Sequence, residues 1–118
     1  MSEATNGNTT VSSEVVEKIA AAAARGVPGV AELGGDVARF FNSVLDRVGL
    51  DEVGDATRGV GAKVKGNDVT VSVVLVLEAG RIVADVTAEV QARVKEALTG
   101  YGLNVVAVNV NVDDITGV

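Results

Sequence analysis

Gly66-Asn-Asp-Val-Thr-Val-Ser-Val-Val-Leu-Val-Leu-Glu-Ala79 is the stretch that decides how this 118-residue chain folds. Val69, Val71, Val73, Leu75 and Leu77 stand at every second position, the period of a strand that buries one face completely. The alternate row, Thr70, Ser72, Val74, Val76 and Glu78, is polar at its ends and apolar in its middle. The second face of the sheet is therefore expected to meet something as well. On this reading a charge at Val73 unfolds the domain, whereas a charge at Ser72 is mild.

Working outward, residues 60–65 form a short strand joined to the first through Gly66-Asn67, a two-residue hairpin connection. Downstream of Gly80 the period changes to that of a helix over residues 83–99, with Val83, Val86, Val90, Val94, Ala97 and Leu98 on its apolar side. Gly100 and Gly102 end it, and a last strand over residues 103–113 is expected to turn Val106, Val108, Val110 and Val112 inward and Asn109 and Asn111 outward. A strand, a helix of about four turns and a further strand make a right-handed crossover with the two strands parallel.

Upstream, residues 14–25 read as a helix capped by Ser12 or Ser13 and stopped by Gly26 and Pro28. Val15, Val16, Ile19, Ala20, Ala22 and Ala23 are expected on its apolar face, with Glu14, Glu17, Lys18 and Arg25 opposite. A further amphipathic helix over 36–48 carries Val37, Phe40, Phe41, Val44, Leu45 and Val48 in one stripe, and 49–59 is an acidic loop. The expected fold is α+β: a small mixed sheet of about three strands, helices on one face, and the 36–48 helix in addition. Residues 1–12 read as a disordered tail, 13–115 as a single domain, and 116–118 as a C-terminal tail.

Composition narrows the chemistry. The chain has no Cys and no His, which removes disulfides and the commonest general base and metal ligand. A formal charge of -6 and a pI near 4.5, with scattered basic residues, argue against a nucleic-acid partner. The Gly26-Val27-Pro28-Gly29 turn has the spacing of the GxxG loop in KH-type RNA-binding modules but lacks flanking basic residues, so a tight turn is the better reading. Gly59-Val60-Gly61 lacks the third glycine of a dinucleotide fingerprint. Asp51, Glu52 and Asp55 are spaced too irregularly for a calcium loop. Asp85, Glu89 and Arg93, four residues apart, read as an exposed charge ladder. No catalytic, cofactor-binding or metal-ligating residue is expected. No apolar run reaches the ~18 residues of a membrane span. The surfaces left for a partner are Phe40 and Phe41, the outer row at Val74 and Val76, and an open sheet edge.

In order and spacing, several segments resemble the alkaline shock protein family of Gram-positive bacteria. They are Val11-Ser-Ser-Glu-Val-Val-Glu-Lys-Ile-Ala-Ala-Ala-Ala-Ala24, Val27-Pro-Gly-Val30, Glu78-Ala-Gly80, Val86-Thr-Ala-Glu-Val-Gln-Ala-Arg-Val-Lys-Glu-Ala97, Thr99-Gly100 and Val108-Asn-Val-Asn-Val-Asp-Asp-Ile115. The chain departs from the usual pattern at Ala79 and in the added Tyr101-Gly102. The resemblance implies a non-enzymatic cytoplasmic protein of the cell-envelope stress response. It further implies self-assembly into a homo-oligomeric scaffold, and tethering at the membrane by an integral membrane partner, without direct insertion.

Overall fold

The computed structural model describes residues 11–34 and 59–117. Among them are two helices, α1 (Ser13–Arg25) and α2 (Val83–Thr99), and four strands, β1 (Val30–Leu33), β2 (Val60–Lys65), β3 (Asp68–Glu78) and β4 (Asn104–Thr116). The expected helix at 36–48, with Phe40 and Phe41, lies outside the described residues.

β3 is the centre of the sheet. β2 pairs with it antiparallel through the hairpin at Gly66, whose φ of +62 suits the first position of a tight turn. β4 pairs with its other side in parallel, after the crossover through α2. The sheet is therefore mixed, as the sequence predicts, and it has one strand more than expected. β1 is that addition. It pairs antiparallel with the C-terminal part of β3, Val30 facing Leu77 and Leu33 facing Leu75, on the same side as β2.

β1 and β2 together make one edge strand in two pieces. The Gly34 N–H donates to the Val74 carbonyl at 3.0 Å, and the Val74 N–H donates to the Gly59 carbonyl at 2.7 Å. Gly34 and Gly59 thus share a single rung of the ladder, and a Cβ on Gly59 would stand 2.5 Å from the Gly34 nitrogen. The chain leaves the sheet at one glycine and re-enters it at the other.

Both helices lie on one face. Val16, Ala20, Ala21 and Ala24 of α1 and Val86, Val90, Val94 and Leu98 of α2 form one core with Val69, Val71, Val73, Leu75 and Leu77 of β3. α1 begins as expected, with the Ser12 hydroxyl accepting from the Val15 N–H at 3.2 Å. Its buried stripe, however, is rotated from the sequence reading: Val15 is 46% exposed, whereas Glu17 is fully buried. The five alanines from Ala20 to Ala24 carry almost no phase information, so Val15, Val16 and Ile19 alone orient the helix in the sequence, and of these only Val16 is fully buried.

β4 differs from expectation too. Val106 is 61% exposed instead of inward. The pairing steps from Val69/Val105 to Thr70/Ala107, leaving Val106 as the extra residue of a β-bulge. A second step, from Leu75/Val112 to Val76/Asp114, places Asp113 in the same role. Each bulge shifts the alternation by one, so Val105, Val108, Val110, Val112 and Ile115 all reach the core, and the strand runs to Thr116.

Candidate functional site

The second face of the sheet carries Thr70, Ser72, Val74 and Val76 of β3, flanked by Lys63 and Glu32 on one side and Ala107, Asn109, Asn111 and Asp114 on the other. Val74 and Val76 are adjacent on this face as the alternation requires, and both are withdrawn from solvent, at 0% and 7% exposure. Ser72 is also buried, at 4%, so a charge there is expected to be costly instead of mild. Phe40 and Phe41 lie outside the described residues. The segment that holds them is joined to the sheet at Gly34 and Gly59, both hydrogen-bonded to Val74.

The two edges of the sheet are finished differently. In an antiparallel pair, hydrogen-bonded and non-hydrogen-bonded rungs alternate. Because the Val74 N–H bonds Gly59, the Ala62/Val71 rung is non-hydrogen-bonded and the Ala62 N–H points away from β3. The Glu17 Oε2 accepts that outward amide at 3.2 Å from α1. Val60, Gly61 and Ala62 are all buried at this edge, and Lys63 and Lys65 end the strand with charge. Glu17 is the residue that sequence reasoning misplaced. A carboxylate among the alanines of a helix reads as solvated, and nothing local announces a strand edge above it.

Among the described residues β4 forms the opposite edge, and none of its residues is buried. Its ends are tied down: the Asn104 N–H donates to the Asn67 carbonyl at 2.9 Å, Asn104 Nδ2 to Asp68 Oδ1 at 2.9 Å, and Thr116 Oγ1 to the Leu77 carbonyl at 3.3 Å. Gln91 of α2 donates to the Val108 carbonyl at 3.2 Å. Between the bulges, Ala107 to Val112 pair one to one with Thr70 to Leu75 and contain no charged residue. A long, uncharged, unburied edge offers backbone donors and acceptors to another strand.

A shallow, open groove of about 420 Å³ runs beside the start of α2, lined by Pro28, Arg81, Ile82, Asp85, Glu89 and Arg93. Its charges are largely matched within the chain. Arg93 Nε lies 2.7 Å from Glu89 Oε2, and Arg81 pairs with Glu78 at 3.3 Å, each pair about half exposed. Of the ladder expected at Asp85, Glu89 and Arg93, the Glu89–Arg93 pair is formed and all three residues are exposed. Such exposed pairs are weak and screened by salt. The Gly26 to Gly29 turn serves packing: Gly29, at φ +102, accepts from the Glu78 N–H at 2.9 Å, and a Cβ on it would meet Val86 at 2.9 Å. Among the described residues no group of three or more Asp or Glu converges as metal ligands do, and no helix is long and apolar enough to cross a membrane.

A mixed sheet with two helices on one face, a spliced edge capped by Glu17 and an unburied edge at β4 defines a small α+β domain whose distinctive surface is a strand edge. By its sequence the chain belongs to the alkaline shock protein 23 family, whose function is described as cell envelope-related; the match covers residues 1–117. Among solved structures it is similar in fold to variants of the MamM CTD. For a zinc form the identity is 17% and the TM-score 0.50, covering 86% of this chain and 84% of that one. For a manganese form the values are 18% and 0.48, covering 86% and 96%. These likenesses concern the fold alone.

Proposed function

We propose that the chain is a non-enzymatic domain of the cell-envelope stress response that assembles with copies of itself and is held at the cytoplasmic side of the membrane by an integral membrane protein. The family's cell envelope-related function supports the setting. The observation that carries the assembly is the β4 edge, thirteen residues long with none buried. An edge of that length with no further strand beside it among the described residues recruits a partner strand. The tether is supported by what the sequence offers for lipid. The net charge of -6 opposes anionic headgroups, and there is no cysteine to acylate.

The test is a pulldown of the tagged full chain from membranes of its native cell, paired with sedimentation on protein-free anionic vesicles. We expect an integral membrane protein in the pulldown and no sedimentation with bare vesicles. Strong pelleting with vesicles alone would overturn the tether, and a chain that stays monomeric by light scattering at high micromolar concentration would overturn the assembly.

A further inference from the structure

We propose that two copies of this chain pair antiparallel through β4, about a two-fold axis at Val110. The inference rests on the self-association proposed above and names its surface. Residues Val108-Asn109-Val110-Asn111-Val112 read the same in both directions from Val110. A two-fold interface brings the same patch of both molecules together and must be self-complementary. Residues directly opposite in an antiparallel pair share a face. A pair centred on Val110 therefore sets Val108 against Val112 of the second copy and Asn109 against Asn111 of the second copy, apolar with apolar and amide with amide.

The register to β3 places these rows correctly for a continuous sheet. Val108, Val110 and Val112 pair with Val71, Val73 and Leu75 on the helix-covered face, and Asn109 and Asn111 pair with Ser72 and Val74 on the other. The palindrome falls within the regular stretch between the bulges at Val106 and Asp113. Charge selects the direction. A parallel pair would place Asp114 of each copy against its equivalent, whereas the antiparallel pair sets it against Val106 of the second copy. The other edge is less suited, because α1 already covers it through Glu17 and Ala62.

The flank of α2 beside β4 carries small side chains. Gln91 reaches the Val108 carbonyl, and Ala84 and Ala88 stand on the same flank of α2, one and two turns toward its N-terminus, all exposed. Two α2 helices meeting across the axis would approach over these small side chains.

The chain has no cysteine, so single cysteines report the pairing without background. The full-length variants Val106→Cys, Asn109→Cys, Val110→Cys and Asn111→Cys would be oxidised at micromolar concentration, with light scattering on the unmodified chain alongside. Opposite residues in such a pair have Cα atoms about 4.5–5.5 Å apart, within disulfide range. We expect Val110→Cys to crosslink to itself most completely. Asn109→Cys and Asn111→Cys should crosslink to each other when mixed and poorly alone, and Val106→Cys should not self-crosslink. Oligomers without a crosslink at Val110 would overturn the pairing while leaving self-association standing. A strictly monomeric chain would overturn both. If amides 107–112 became protected from exchange only on adding a different protein, the edge would belong to that partner and the proposal would fall.

Discussion

Glu17 and Ala62 are 45 residues apart in the chain and 3.2 Å apart in the fold, the carboxylate Oε2 of one accepting the backbone N–H of the other. The bond joins a helix to the edge of a sheet and satisfies an amide that the ladder cannot use. It also holds a carboxylate out of solvent, where it must be well partnered to be tolerated.

Glu17→Leu should therefore destabilise the domain by about 1–3 kcal/mol, the usual cost of leaving a buried donor unbonded. Glu17→Gln keeps an oxygen for the Ala62 amide and should cost less. Urea melts of the two variants check this, and equal losses would show that the hydrogen bond contributes nothing of its own.

Gly59 has φ +80, and a Cβ there would stand 2.5 Å from the Gly34 nitrogen, where only backbone can yield. Gly66 has φ +62 with nothing within 4 Å of its Cβ position. Gly66→Ala should cost the backbone strain alone, roughly 1–2 kcal/mol. Gly59→Ala should cost clearly more and should speed hydrogen exchange at the Val74 amide, whose bond closes the shared rung. Unchanged exchange at Val74 would contradict the spliced edge.

Ser72 and Asn109 face each other across β3 and β4, yet only Asn109 is exposed. Ser72→Asp should lose several kcal/mol in thermal melts, approaching the loss from Val73→Asp, because either places a carboxylate in low dielectric. At dilution, where the chain is unpaired, Asn109→Asp should stay within about 0.5 kcal/mol of the parent chain, as surface changes usually do. A mild Ser72→Asp would mean that the second face is open.

Arg93→Ala removes an ion pair whose partners are both nearly half exposed. Chemical denaturation should register a change below about 0.5 kcal/mol, shrinking further in high salt. A loss of 2 kcal/mol or more would require the groove beside α2 to be far drier than its open shape implies.

The sequence by itself determined whatever local periodicity can encode. The alternation at Val69 to Leu77, the apolar stripe of Val83–Thr99, the two-residue turn at Gly66-Asn67 and the serine at the start of α1 each fix a local backbone state. The helix between them returns the chain to the starting end of the sheet, which makes β3 and β4 parallel. The family, too, was legible from the order of short segments. Only the tertiary structure decided how distant backbones meet. β1 has four residues, too few to show a period, and it is a strand only because the edge of β3 beside Val74 to Leu77 needed a partner. The bulges at Val106 and Asp113 change which valines face the core without any change in the pattern of valines. Glu17 is buried because an edge amide lies under it, and Gly34 and Gly59 share one rung although a long stretch of sequence separates them. Backbone hydrogen bonds use the same N–H and C=O at every residue, so the sequence does not mark which of them will find each other.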